Sequence, residues 1–244
     1  MAIRSDLLVM DGKLGGNEIH VWHTDLGAEE PAVERLYTLL DHAEQKRASR
    51  FLVPEPRTQF IISRAFLRIA LGHYLGIEPP EVKFCTGEQG KPELANGGLQ
   101  FNLSHTEGVA AIAITRAGKV GIDVERIRRN LEPLQMAARF FSARESEWLR
   151  SQSKDRQFAA FFSCWTAKEA YIKARGGGLS IPLDSFGVIP DSPDGDSRLE
   201  IYGHPEESIR WSLWELDFGP QLRGAVAVEA VNCSVRVGRW SVLA

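Results

Sequence analysis

At 244 residues, with 43% hydrophobic and 25% charged side chains, the chain is long enough for one large domain or two compact ones of roughly 120 residues each. This composition excludes a disordered polypeptide. The formal net charge of −3 excludes general nucleic-acid binding, so a polyanionic ligand has to be held by a local basic cluster. Cys85, Cys164 and Cys233 are odd in number, widely spaced and in no CxxC or Cys/His pattern, which argues against a disulfide framework or a zinc site and for a reducing cytoplasm. Residues 1–10 hold a short apolar patch interrupted by Asp6, unlike a signal peptide or membrane span. No other apolar run is long enough to cross a bilayer, and the expectation is a soluble protein that is not exported.

In chain order, Ile19–His23 reads as a strand and 32–48 as one helix with Val33, Leu36, Leu39 and Leu40 on one side. Pro54 and Pro56 break it, and a second helix runs from Arg57 to Leu75, ending at Gly76. Strand candidates follow at Val82–Cys85, Gln100–Ser104 and Val109–Thr115. Residues 120–125 continue the pattern: Val120, Ile122 and Val124 alternate with Gly121, Asp123 and Glu125, so both carboxylates share one face of a strand. Helical patterns cover 134–140, 143–152 and 155–175, the last stopped by Gly176-Gly177-Gly178. Strand-like pieces occupy 185–189, 198–201, 209–216, 222–229 and 235–242, with a Pro- and Asp-rich loop at 190–197. Helices followed by strands, twice over, predict two α+β halves, 1–118 and 119–244.

Two segments carry the chemistry. On the helix Phe162–Lys173, Trp165, Glu169 and Lys173 recur at four-residue spacing, so one face presents a ring, a carboxylate and an ammonium. With Asp123 and Glu125, Glu169 supplies three carboxylates, hard oxygen ligands that suit Mg²⁺ and leave positions for water and substrate phosphates. Each part has an ordinary reading: an edge-strand face for Asp123 and Glu125, and an ion pair for Glu169 and Lys173 worth about 0.3–0.5 kcal/mol. The conjunction with the Gly-Gly-Gly-Leu-Ser exit is what points to a site.

Val120–Glu125 and Phe162–Lys173 match in full the two signatures of the 4′-phosphopantetheinyl transferases, (V/I)G(I/V)D(V/I)E and F-x-x-W-(T/C/S)-x-K-E-(A/S)-x-x-K. Arg50-Phe51, Gly90-Lys91-Pro92, Phe101-Asn102-Leu103-Ser104-His105, Arg139-Phe140-Phe141-Ser142 with Glu145, and Gly178-Leu179-Ser180 extend the match over most of 46–187. The chain resembles the two-lobed type that activates surfactin and other peptide synthetases. The resemblance implies an α+β fold built as a pseudo-dimer of two similar halves. The implied reaction transfers phosphopantetheine from coenzyme A to a serine of an acyl or peptidyl carrier protein, releasing 3′,5′-ADP.

By the same resemblance, Asp123, Glu125 and Glu169 hold Mg²⁺, for which Mn²⁺ is an alternative, against the pyrophosphate. Lys173 and Lys168 add positive charge beside it, and Glu169 or Glu145 serves as base. Ser142 with Glu145 also reads as a helix-capping box, which leaves Glu145 open. Ser104 and His105 lie against a coenzyme A phosphate, and Arg50, Arg57 and Lys91 belong to segments that bind the 3′-phosphate. Arg64 and Arg68 read as surface or inter-lobe ion pairs. Arg126, Arg128 and Arg129, with Met136, Phe140 and Trp148, are candidates for carrier docking. The expected assembly is a monomer. Rival readings are a non-catalytic carrier-binding relative and a Mg²⁺-dependent phosphohydrolase.

Overall fold

The computed structural model describes residues 13–87, 90–189 and 198–241. The stretch 1–10, the loop at 190–197 and the end of the last expected strand at Val242 lie outside these. The chain opens with β1 (Glu18–Asp25) and two short helices, α1 (Glu30–Tyr37) and α2 (His42–Ala48), where the periodicity predicts one. Asp41 makes the break. Its carboxylate accepts the Glu44 amide at 2.9 Å while Glu44 accepts the Asp41 amide at 3.1 Å, a reciprocal cap that starts a new helix. Helix α3 (Pro54–Leu75) begins at the prolines rather than after them, because the first turn needs no amide donors and Pro presets φ there. Gly76, at φ 69°, ends it in the left-handed region.

The hairpin β2 (Phe84–Thr86) and β3 (Pro92–Leu94) leads to β4 (Gln100–Thr106), β5 (Val109–Thr115) and β6 (Val120–Arg126). Helices α4 (Pro133–Phe140), α5 (Ala143–Ser151) and α6 (Lys154–Arg175) follow. The rest is β7 (Phe186–Ile189), β8 (Arg198–Ile201), one turn of helix α7 (Pro205–Ser208), β9 (Ser212–Leu216), β10 (Leu222–Val228) and β11 (Ser234–Arg239). The expected strand over 209–216 starts only at Ser212 because the chain is still turning before it, with the Arg210 amide bonded to the Glu207 carbonyl at 3.1 Å.

The two larger sheets have the orders β11-β1-β5-β4 and β6-β10-β9, and β2-β3 and β7-β8 form two-stranded sheets of their own. Alternation along the strands gives each larger sheet two buried faces. Trp22, Phe101, Ala110, Ile112 and Ile114 pack with Ile62, Ala65, Phe66 and Ile69 of α3. The opposite face of β1 and β5, Ile19, Val21, Ala111 and Ala113, meets Val120, Ile122, Val124, Val226 and Val228 of the second sheet. Beyond that sheet, Ala225 and Ala227 pack with Phe162, Ala167 and Ala170 of α6. The layers therefore run α3, first sheet, second sheet, α6, and each long helix carries 22 residues and ends on a left-handed glycine. Burying each Val or Ile of the middle layer stabilises the union of the halves by about 1.5–3 kcal/mol.

Strand β11 returns to the first half. It pairs in parallel with β1, Glu18 opposite Ser234 through His23 opposite Arg239, and Trp240 stacks on Phe66 with ring centroids 5.3 Å apart. A cut at residue 118 leaves this strand with the half it does not pack in, since the open edge of β1 is what satisfies its amides. Arg68 also departs from its surface or inter-lobe reading. Fully buried within the first half, it bonds Glu44 at 2.6 Å, Asp41, and the carbonyls of Pro79 and Val82 at 3.2 and 3.0 Å. The guanidinium fork offers enough donors to join helix α2, α3 and the following turn in one network. Arg64 bonds the other oxygen of Glu44 at 2.6 Å, so this pair too is internal to the first half.

Candidate active site

Strand β6 and helix α6 touch backbone to backbone, and Gly121 is the reason. A Cβ there would lie 2.1 Å from the Ala170 carbonyl oxygen and 2.3 Å from the Ala174 nitrogen, distances that no side chain tolerates. The contact carries Asp123 and Glu125, one and two strand repeats beyond Gly121, onto the face where Glu169 and Lys173 stand on α6. Lys91 staples the junction from the first half, its Nζ donating to the Val120 carbonyl at 2.8 Å and the Lys173 carbonyl at 3.1 Å. Desolvation drives the Lys91 ammonium down to about 8, with Glu93 opposing and Lys119 adding to the shift. Lys91 thus stands in the junction between the halves.

Asp123 is 4% exposed. Its Oδ1 accepts from Ser104 Oγ at 2.9 Å and Lys173 Nζ at 2.6 Å, while its buried Oδ2 has no hydrogen-bond partner among the described residues. Leaving a buried acceptor unpaired costs about 1–3 kcal/mol, and more for a charged one, so Oδ2 is the acceptor of this cluster whose capacity is unspent. Glu125 accepts from Thr106 and from Arg128, each at 3.2 Å. Burial and then the charge of Asp123 raise its pKa, against Arg128, Thr106 and Lys173. Glu169 is raised by burial and by Asp123 and Glu125, against Lys173. His105, an exposed residue, is lowered by desolvation and then by Lys173. These couplings bring Asp123, Glu125, Glu169, Lys173 and His105 into one electrostatic neighbourhood with more negative charge than its cation offsets.

Among the described residues no group of three or more His, Cys, Asp or Glu side chains is close enough to form a ready-made metal cage. The three carboxylates are gathered but stand apart. The donor set nonetheless fits a hard divalent ion, because Asp123, with its orphaned Oδ2, is electrostatically coupled to two further carboxylates and such an ion takes its remaining ligands from water and phosphate.

Two of the expected site residues turn away from this cluster. Lys168 is fully buried, and its Nζ donates to the Leu183 carbonyl at 2.8 Å and the Phe186 carbonyl at 2.7 Å, with Glu145 Oε1 at 2.8 Å. Glu145 also accepts from the Ser142 amide and the Val188 amide, each at 2.8 Å, and from Ser142 Oγ at 2.7 Å. The capping reading of Glu145 is the one the geometry bears out, because both of its oxygens are occupied by groups that fix α5, α6 and β7. Trp165 belongs to a ring cluster with Phe140, Phe141 and Phe161. In the first half, Arg50 is exposed, and Arg57 pairs with Glu34 at 3.3 Å and Glu30 at 3.8 Å, its guanidinium over the Tyr37 ring.

Thr106 enters the site's frame without having been singled out, and Asn102, named only as part of a motif, joins it there. The signal was present in the strand's alternation, where polar Asn102, Ser104 and Thr106 interleave with apolar Phe101 and Leu103 on a strand with little exposed surface.

Both halves of the chain match known proteins. The profile of the 4′-phosphopantetheinyl transferase superfamily matches residues 119–230, and that of the 4′-phosphopantetheinyl transferase N-terminal region matches 28–117. The chain is 42% identical over 216 residues to the 4′-phosphopantetheinyl transferase HetI of Nostoc sp., covering 87% of this chain and 88% of that protein. It is 31% identical over 169 residues to the 4′-phosphopantetheinyl transferase Sfp of Bacillus subtilis, covering 69% and 74%. A further 4′-phosphopantetheinyl transferase of Bacillus subtilis is 32% identical over 180 residues, covering 72% and 78%. With both halves matched and the carboxylate and lysine motifs brought together, the chain belongs to the 4′-phosphopantetheinyl transferase superfamily.

Proposed function

We propose that the protein moves 4′-phosphopantetheine from coenzyme A to a serine of an acyl or peptidyl carrier protein, releasing 3′,5′-ADP. The observation that carries this is the unpartnered Asp123 Oδ2 inside an anionic cluster with Lys173 as its near cation. Asp123, Glu125 and Glu169 are the residues that would hold Mg²⁺ or Mn²⁺, whose chemistry here is to offset charge on the transferring and leaving phosphates.

The chain's own groups then divide the work. The carrier serine Oγ forms a bond to the phosphorus bearing pantetheine, and the phosphorus–oxygen bond to the 3′,5′-ADP half breaks with its electron pair on the departing phosphate. Glu169 takes the serine proton. Burial and the neighbouring Asp123 and Glu125 raise its pKa, the direction that makes a carboxylate a stronger base, whereas Glu145 is saturated by structural donors. Lys173 releases Asp123 Oδ1 in part and turns its ammonium to the phosphate oxygens, a swing its 31% side-chain exposure permits. His105, on the exposed side, and Arg50 and Arg57 on the first half are the groups proposed to meet the coenzyme A phosphates.

For the carrier, Arg129 is the candidate contact: Arg126 is engaged on the Glu107 carbonyl and Gln221 and Arg128 on Glu125, whereas Arg129 lies over the Phe158 ring, 5.6 Å from its centroid, a contact that leaves its N–H donors to a partner. No helix among the described residues is long and apolar enough to cross a membrane.

Incubation with coenzyme A and Mg²⁺, with and without an apo carrier protein, tests the proposal. Carrier-dependent 3′,5′-ADP and a phosphopantetheine mass on the carrier serine are the expected result. Carrier-independent release would make the protein a phosphohydrolase, and tight carrier binding without product would make it a scaffold.

A further inference from the structure

Strands β4 and β6 run side by side in the same direction, but their backbones are not laddered together. Side chains of β4 do the joining instead. Asn102 Oδ1 accepts the Ile122 amide at 2.9 Å, Ser104 Oγ the Val124 amide at 3.3 Å, and Thr106 Oγ1 the Arg126 amide at 3.4 Å. Successive rungs are two residues apart on both strands, so every rung meets β6 in the same way.

A hydroxyl has one proton, and with an amide donating to each hydroxyl oxygen that proton is free for another acceptor. Ser104 gives its proton to Asp123 Oδ1 at 2.9 Å and Thr106 gives its to Glu125 Oε2 at 3.2 Å. At the Asn102 rung the corresponding β6 residue is Gly121, which has no side chain to orient and cannot have one. Two hydroxyls at strand spacing thus each address one of two carboxylates at strand spacing, across the boundary between the halves.

At Glu125 the arrangement goes further. Arg128 Nη2 donates to the same Oε2 at 3.2 Å. Both donors sit on one oxygen, and among the described residues Oε1 accepts no hydrogen bond.

We propose that Thr106 is a positioning residue: its hydroxyl, seated on the Arg126 amide, holds Glu125 Oε2 so that Oε1 stays directed to the metal position beside Asp123. This rests on the metal-dependent reading above and assigns Thr106 no contact with substrate. The mechanism is orientation of a ligand by an outer hydrogen bond, whose loss typically weakens metal binding about 10- to 100-fold.

The test compares Thr106→Val, which keeps the shape and loses the hydroxyl, with Thr106→Ser, which keeps the hydroxyl and loses the methyl. Mn²⁺ binding to the coenzyme-free protein is read by electron paramagnetic resonance, and the Mg²⁺ dependence of turnover is read separately. The valine variant should bind Mn²⁺ about 10-fold more weakly and need correspondingly more Mg²⁺, with kcat at saturating Mg²⁺ within about threefold of the parent. Serine should restore both to within about twofold. Unchanged Mn²⁺ affinity in the valine variant, or a serine variant as weak as valine, would overturn the assignment. If the valine variant does not fold, Thr106→Ala supplies the same comparison. A parent protein that binds no Mn²⁺ at all would remove the metal reading and this inference with it, whereas parent and valine variant binding equally well would remove only Thr106.

Discussion

Lys168 and Lys173 stand five residues apart on one helix, each beside a buried carboxylate, and their surroundings differ in one respect. Every polar group around Lys168 is spent: the ammonium reaches two carbonyls and Glu145, and both oxygens of Glu145 have other donors. Around Lys173 the accounts are open. The ammonium donates to Ser104 Oγ at 3.1 Å and Asp123 Oδ1 at 2.6 Å, is partly exposed, and leaves the second oxygen of Asp123 bare. A buried polar network that is fully satisfied fixes structure, while one left short of a partner is poised to receive one. The same ion-pair chemistry serves as a strut in one turn of α6 and as a receptor in the next.

The sharpest way to break this contrast is to remove the carboxylate with the bare oxygen. Asp123→Ala should lower turnover at ordinary Mg²⁺ by about 10³-fold or more, since losing the proposed metal ligand would forfeit several kcal/mol of transition-state stabilisation. Folding should survive, because the substitution relieves repulsion on Glu125 and Glu169, against the loss of one acceptor for Ser104 and the partly exposed Lys173. Carrier-dependent 3′,5′-ADP release and a thermal melt read the two outcomes. Near-normal turnover would end the assignment of Asp123 to the site.

Lys168→Met addresses the strut. It leaves Glu145 charged, buried and short of its cation, a defect that costs about 3–5 kcal/mol, or a fall in Tm of roughly 6–20 °C for a chain of this size. Adding Glu145→Gln should recover part of the loss. Below the lowered Tm, turnover per folded molecule should remain within about threefold of the parent. A variant with parental stability and a large loss of turnover would instead move Lys168 into the chemistry.

The sequence told these two lysines apart poorly, and the reason is physical. Spacing along a helix says which side chains share a face but not what lies opposite, and the partners of Lys168 come from 145, 183 and 186. The local features were readable: the alternation that pairs Asp123 with Glu125, the four-residue recurrence of Glu169 and Lys173, the glycine stops at 76 and 176, and the Ser142 cap. What escaped depends on packing between segments far apart in the chain, within a half or across the two. Arg68 reads as a surface or inter-lobe ion-pair residue until the Asp41 cap and the 79–82 turn close over it. Thr106 looks like a strand residue until β6 lies beside it, and the return of β11 to β1 has no local signal. Gly121 is the instructive middle case, visible as a motif residue, with its cause, a helix backbone 2.1 Å from where its Cβ would be, supplied only by the fold.

The smallest expected effect probes whether the open site is strained when no cation is bound. Glu169 has a pKa raised above the ordinary carboxylate value by burial and by Asp123 and Glu125, so the folded protein favours its protonated form. For an acid shifted upward, the associated stability is present below its unfolded pKa and is lost as pH rises through the folded pKa. At pH 7 the ionised Glu169 therefore opposes folding, and Glu169→Gln should raise Tm by about 1–3 °C while abolishing the proposed base and ligand functions. The gain should disappear near pH 4, where the parent carboxyl is protonated in both states, and Mn²⁺ should narrow the difference at pH 7 by stabilising the parent selectively. A gain of equal size at both pH values would trace to packing, and no gain at either would mean that Lys173 already balances the cluster. The expected pattern would show the carboxylates held together against their own repulsion, a cost that a structural strut such as Lys168 with Glu145 does not carry.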